Sequence, residues 1–194
     1  MDLFLAISAG IGVSLATGAR CFLAPLMVAL LARAGIGFDL DGTDYEFLQS
    51  IPFMAAMVAL TALSVAYERP PREVPVVPLA IASAGLGMLE FGAALAEDGH
   101  ATALGLAGGL ACALIGLFAV RGFIGGAVER LVARGEQGGA SVLRLYADAA
   151  AIVTAALAVL LPPVSYLPLG FCIWVLVSAR RRAGQKYEGL RVLR

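Results

Sequence analysis

Six apolar runs, each long enough to cross a lipid bilayer, constrain this chain more than any other feature of its sequence. They cover residues 3–34, 51–67, 74–96, 102–133, 142–161 and 164–179. About 20 helical residues, rising 1.5 Å each, cross a hydrocarbon core of roughly 30 Å. Lipid cannot satisfy free backbone groups, and no alternating barrel pattern is visible. The sequence therefore predicts an all-α integral membrane protein with six transmembrane helices.

The composition agrees with this class. Of the 194 residues, 60% are hydrophobic and only 14% are charged, whereas a soluble domain has roughly 45–50% apolar and about 25% charged residues. Disorder, collagen-like repeats and nucleic-acid binding are excluded. Cys21, Cys112 and Cys172 lie inside apolar runs without CxxC spacing, so we interpret them as small core residues rather than as disulfide partners.

The charged residues between the runs predict an orientation. If six helices alternate in direction, 11 of the 14 basic residues fall on one side of the membrane, in two loops and the C-terminal tail. The acidic residues Asp39, Asp41, Asp44, Glu46, Glu97 and Asp98 fall on the other side. Basic loops tend to stay cytoplasmic. We therefore expect both termini to be cytoplasmic.

The first and fourth runs are too long for one simple crossing. Each has 32 residues, or about 48 Å of helix. We expect helix breaks at Gly18 and Pro25 in the first run and at Gly122 and Gly125 in the fourth. An alternative remains open, in which both runs fold as re-entrant hairpins.

The chain also resembles itself at an offset of 101 residues. Arg20, Phe22, Leu30, Ala32 and Arg33 recur as Arg121, Phe123, Leu131, Ala133 and Arg134. An odd number of spans in each half makes the halves enter the membrane from opposite sides. We therefore predict two inverted three-helix repeats, 1–97 and 98–183, followed by a basic cytoplasmic tail, 184–194. The alternative is a chance alignment of sequence rich in Ala, Leu and Gly.

Two arginines lie near the middle of apolar runs. An isolated charge there costs at least about 2.5–3.5 kcal/mol, so Arg20 and Arg121 must face the protein interior. Glu90 and Asp148 are the comparably embedded acids. One interpretation pairs Arg20 with Asp148 and Arg121 with Glu90 in structural salt bridges. The other brings both arginines to a midplane substrate-binding site for an anion, with Glu90 and Asp148 alongside.

Three further features bear on function. Glu68 closes the second run and is a candidate for gating or coupling, with pairing to Arg69 or Arg72 as the alternative. Glycines at four-residue spacing, Gly105/Gly109 and Gly122/Gly126, predict close helix packing within the chain, with homodimerisation as the alternative. His100 is the sole histidine, and no HExxH or GxSxG motif is present. We therefore expect neither an enzyme, a metal site nor a cofactor.

The C-terminal run 180–194, RRRAGQKYEGLRVLR, is similar to the ending of bacterial proteins classed as domain of unknown function 4126. The resemblance extends to residues 18–22, to Glu68 and to Val120-Arg121. The connection after Glu68 departs from the longer acidic and lysine-containing one of that family. The resemblance implies a small bacterial inner-membrane protein and supplies no reaction.

These features lead to two hypotheses. The first is a small transporter or flippase-like protein for an anionic solute or lipid headgroup that carries phosphate or carboxylate. The second is a non-transporting scaffold or assembly factor, whose buried charges only specify the fold and whose basic tail binds anionic membrane lipid.

Overall fold

The computed structural model describes residues 2–67, 76–97, 99–100 and 102–191, and no β-strand occurs among them. The helices are α1 (Leu3–Ala19), α2 (Leu23–Arg33), α3 (Ile51–Tyr67), α4 (Val76–Ala96), α5 (Thr102–Val120), α6 (Gly126–Ala133), α7 (Gln137–Leu160) and α8 (Tyr166–Arg191). A π-helical turn, Arg121–Gly125, joins α5 to α6, and short 3-10 turns cover Glu46–Gln49 and Pro162–Ser165.

Four helices of the described part are long and apolar enough to cross a membrane. They are Val77–Ala96, Thr102–Ala133, Gln137–Leu160 and Pro162–Arg181. Helices α1, α2 and α3 are apolar but shorter. The predicted all-α class is therefore confirmed for the described residues, with four helices that could span a membrane, whereas six spans and the repeat are not confirmed.

The first apolar run folds as a helical hairpin. Gly12 of α1 packs against Ala158 of α7, and Gly37, just beyond α2, packs against the next residue, Val159. The two positions are 25 residues apart in sequence but lie at the same level of α7. The chain must therefore travel away from this level in α1 and return to it in α2.

The tip of the hairpin lies deeper along α7. Arg20, which follows α1 directly, contacts Asp148, ten residues before Ala158. Ten helical residues correspond to about 15 Å. This hairpin is the arrangement that the sequence left open as an alternative to a single crossing.

Local sequence explains the reversal at residues 20–22. Arg20 leaves the helical region with φ −142° and ψ 93°. Pro25 lies in the first turn of α2, where its missing N–H is tolerated, and it cannot donate to the carbonyl of Cys21. Gly18, predicted as a break, is instead buried inside α1, where it allows close packing.

The fourth apolar run behaves differently. It continues as one helical stretch, Thr102–Ala133, and the predicted break at Gly122 and Gly125 is a single π-helical turn. No proline removes a backbone donor there, so the helix widens locally without reversing. A helical hairpin is therefore found in the first run and not in the fourth, so the alternative in which both runs reverse is wrong for the fourth.

Contacts of α4 fix the helix directions. Along α4, Gly87 and Phe91 meet Ser14 and Gly10 of α1, so the order along α1 is reversed and α4 is antiparallel to α1. Gly87 also meets Gly109 of α5, while Phe91 meets Gly105, so α4 is antiparallel to α5 as well. Helices α1 and α5 therefore run in the same direction. Inverted repeats would require these two helices to run in opposite directions.

The bundle has an acidic end. The backbone N–H of Asp39 donates to Oε1 of Glu97 at 3.2 Å, which joins the loop after α2 to the end of α4. The start of α1 lies at the same end, because the hydroxyl oxygens of Ser8 and Tyr166 are 3.1 Å apart and Tyr166 begins α8 shortly after Val159, which packs against Gly37. The N-terminus and the acidic loop thus share one end, which differs from the prediction that they lie on opposite sides of the membrane.

Glycines allow the helices to approach closely around α1. A Cβ at Gly18 would overlap the backbone of Ala113 in α5, and one at Gly109 would overlap the backbone of Gly87 in α4. A Cβ at Gly105 would lie 3.1 Å from the carbonyl oxygen of Phe91. The Gly105/Gly109 pair therefore packs within the chain, as predicted.

Candidate functional site

The hairpin tip carries a charged pair. Nε of Arg20 lies 2.6 Å from Oδ1 of Asp148, and Nη2 of Arg20 donates to the carbonyl oxygen of Arg144 at 3.2 Å. The two paired side chains are only 18% and 29% exposed. Of the salt bridges expected from the sequence, this one is formed.

The pair lines a small pocket between the tip, α3, α4 and α7. The cavity measures about 70 Å³, which is enough for a few water molecules. Its lining consists of Gly18, Ala19, Arg20, Cys21, Phe22, Leu23, Thr61, Ser64, Val65, Leu79 and Asp148. The pocket therefore combines an ion pair with two hydroxyl side chains in an otherwise apolar wall.

The depth of this pocket is set by α7. Asp148 lies midway along Gln137–Leu160, a helix of 24 residues and about 36 Å. An ion pair at the middle of a spanning helix is far from either aqueous face if the helix crosses a bilayer of ordinary thickness. Each charge there needs the other, because the desolvation cost of either one alone is several kcal/mol.

Thr61 adds a second polar element to the pocket. Its hydroxyl oxygen is buried and has no hydrogen-bond partner among the described residues. Ser64, one turn later in α3, donates instead to the carbonyl oxygen of Thr61 at 2.8 Å. A buried hydroxyl without a partner costs about 1–3 kcal/mol, so this site favours a bound polar atom.

Glu90 lies elsewhere, at the interface of α4 with α1. The side chain is 2% exposed. Its Oε2 accepts a hydrogen bond from the hydroxyl of Thr17, and its Oε1 has no partner in the described part of the chain. The expected salt bridge between Glu90 and Arg121 is therefore not formed, because Thr17 occupies one carboxyl oxygen and no cation reaches the other.

Arg121 does not join the pocket. It begins the π-helical turn after α5, is half-buried, and is not among the residues that line the Arg20 pocket. The predicted convergence of Arg20 and Arg121 is thus not found. Arg20 points to α7 because the hairpin ends there, whereas the chain carries Arg121 onward toward α6.

The sequence also predicted roles for Glu68, Gly122 and Gly125, and the two glycines are not among the residues that line the Arg20 pocket. Glu68 lies outside the described residues. Gly122 and Gly125 lie in the π-helical turn, and a Cβ at either would meet no atom within 4 Å.

Roles for Thr17, Thr61 and Ser64 were not predicted from the sequence. Thr17 could have been predicted, because it places a hydroxyl side chain three residues before Arg20 within an apolar run.

A larger cavity of about 650 Å³ opens at the acidic end. Asp39, Asp41 and Glu46 line it, together with Arg33 at the end of α2. Within residues 2–67, 76–97, 99–100 and 102–191, no group of three His, Cys, Asp or Glu side chains is arranged to hold a metal ion.

No protein-family model, curated protein or solved structure matches this chain. The resemblance to domain of unknown function 4126 therefore stays a prediction.

Proposed function

We propose that this chain is a small membrane transporter that moves an anion bearing carboxylate or phosphate, with Arg20 as the anion-binding residue. The observation that carries the proposal is the Arg20–Asp148 pair at the tip of a helical hairpin, midway along α7 and beside a polar cavity. Non-helical backbone at membrane depth is tolerated where it lines such a cavity, and transporter sites are commonly built there.

The chemistry of the pair suits exchange of one anion for another. A guanidinium stays charged and presents its N–H groups in a planar fork that matches carboxylate or phosphate. Asp148 occupies part of this fork in the present structure. A substrate anion would compete with Asp148 for Arg20, and the freed carboxylate would lie near the hydroxyls of Thr61 and Ser64.

The hairpin supplies an element that can move. Its second arm, α2, is joined to α1 by the short turn at residues 20–22 and to α3 by the loop after α2, so this arm and the tip can move without unfolding a long helix. Rocking would expose Arg20 first to one end of the bundle and then to the other. This motion does not require the two inverted repeats that the sequence predicted.

We further propose a bacterial inner membrane as the location, with the C-terminal end cytoplasmic. Arg130, Arg134, Arg180 and Arg181 lie toward the ends of α6 and α8, away from the acidic loop. Basic residues of this kind favour the cytoplasmic side. The acidic end, with the start of α1, then faces outward.

Two reconstituted assays test transport and separate a free anion from a lipid headgroup. One follows entry of radiolabelled inorganic phosphate into phosphatidylcholine vesicles. The other follows movement of fluorescent phosphatidylglycerol between leaflets. We expect Arg20→Lys to lower the transport rate at least tenfold in whichever assay the parent protein is active, because lysine lacks the planar fork.

Arg130→Lys is the matched control, because Arg130 is exposed on α6 and makes no part of the pocket. It should leave the rate unchanged. Inactivity of the parent in both assays would contradict transport of these two anions. A parent that is active, with Arg20→Lys equally active, would remove Arg20 from the mechanism.

The ion pair itself favours a second candidate, a non-transporting scaffold. Asp148 already neutralises Arg20, so the pair can specify the docking of the hairpin on α7 without any ligand. If the protein is a scaffold, it catalyses neither phosphate entry nor phosphatidylglycerol movement. The two charges can then be replaced together by apolar residues with little loss of stability.

A further inference from the structure

A second acid of the bundle is held without a charged partner. Glu90 is 2% exposed, accepts a hydrogen bond from Thr17 and leaves Oε1 without a partner among the described residues. An ionised carboxylate in a dry site costs many kcal/mol unless a cation or several donors compensate it. One hydroxyl donor is insufficient compensation.

Among the described residues, the helices packed closely against α4 supply no compensating charge for Glu90. The helices that pack closely against α4 are α1 and α5. Leu3–Ala19 contains no charged residue, and Thr102–Val120 contains Cys112 as its one titratable group. Cys21, in the turn after α1, is a buried free thiol, which carries no positive charge in either protonation state.

We propose that Glu90 is a proton-binding site, occupied by a proton in this conformation, and that it couples proton movement to the transport proposed above. A protonated carboxyl is neutral, so its burial avoids the cost of burying an ionised carboxylate, and its Oε2 can still accept from Thr17. This inference rests on the proposed function for its role in coupling, but the bound proton itself does not.

The geometry links Glu90 to the anion pocket through α1. Thr17 contacts Glu90 of α4, and Arg20, three residues later, contacts Asp148 of α7. A movement of the hairpin tip that releases Arg20 from Asp148 would also pull Thr17 away from Glu90. The same movement would then admit water to Glu90 and allow the proton to leave.

Infrared spectroscopy of the purified full chain in phosphatidylcholine vesicles tests the bound proton directly. A protonated carboxylic acid has a C=O stretching band that an ionised carboxylate lacks. We expect this band at neutral pH in the parent and its loss in Glu90→Gln. Glu136→Gln is the matched control, since Glu136 is exposed at the start of α7; it should keep the band.

A second variant keeps the test decisive if Glu90→Gln does not fold. Thr17→Val removes the hydroxyl that donates to Glu90 and should shift the band while keeping it. Absence of any band that responds to position 90 or 17 would overturn the proposal. A band that disappears when sodium replaces choline in the buffer would also overturn it, because Glu90 would then bind a metal cation.

A separate measurement tests whether Glu90 couples proton movement to anion transport. If transport is active, Glu90→Gln should abolish its dependence on an imposed proton gradient while anion binding at Arg20 persists. A proton band with no transport would contradict the proposed function alone. Transport with no proton band would contradict this inference alone.

Discussion

Arg20 and Asp148, 128 residues apart in sequence, bring the tip of the α1–α2 hairpin to the middle of α7, with 2.6 Å between Nε and Oδ1. Without this pair, each charge would remain in an apolar setting. The pair therefore fixes the level of α7 at which the hairpin tip and the pocket lie.

A double-mutant cycle measures that contact. We expect Arg20→Ala and Asp148→Ala each to destabilise the protein by about 1–3 kcal/mol, because each leaves a partly buried charge without its partner. The double variant should recover much of this loss. The measurement is thermal unfolding in detergent, with exposed Arg130→Ala as the control. Strictly additive losses would show that the pair contributes no coupling energy.

Cysteine labelling tests the hairpin. In a variant without the three native cysteines, which are buried, we expect Asp2→Cys and Asp41→Cys to react with an impermeant maleimide from the same side of the membrane. Arg134→Cys should react from the opposite side, because the helical stretch Thr102–Ala133, long and apolar enough to cross a membrane, leads from the acidic end to Arg134. Labelling of position 2 together with position 134 would instead support six single crossings.

Two glycine substitutions test the packing of α1 on α5. A Cβ at Gly18 would overlap the backbone of Ala113, which cannot move as freely as a side-chain end. We expect Gly18→Ala to cost about 1–3 kcal/mol through overpacking. Gly85→Ala should be neutral or stabilise by up to about 1 kcal/mol, because its Cβ meets no atom within 4 Å. Equal effects on thermal stability would contradict this packing.

Truncation tests the basic tail. Removing residues 186–194 deletes Lys186, Arg191 and Arg194. Near an anionic surface each charge contributes roughly 1 kcal/mol, weakened by salt. We expect the truncated chain to lose the salt-sensitive stabilisation that phosphatidylglycerol nanodiscs give over phosphatidylcholine nanodiscs. An unchanged difference would limit the tail to setting orientation.

Several features of the site followed from sequence alone. Arg20 lies among apolar residues, so the sequence predicted that a buried anion neutralises it. Asp148 was one of two embedded acids, and the pair could therefore be predicted. The partner of Glu90 could not be predicted. The sequence shows on which face of its helix Glu90 lies, but it does not show which other helix packs against that face. Thr17 reaches Glu90 only because glycines let α1 and α4 approach closely.

What the sequence by itself determined is local: the apolar helices, their membrane-spanning composition, the irregularities at residues 20–22 and 121–125, and the separation of acidic from basic loops. Only the tertiary structure decided that the first irregularity reverses the chain and the second does not. No Lys or Arg precedes Arg20 to indicate on which side of the membrane α1 begins. Contacts with α7, distant in sequence, select the hairpin.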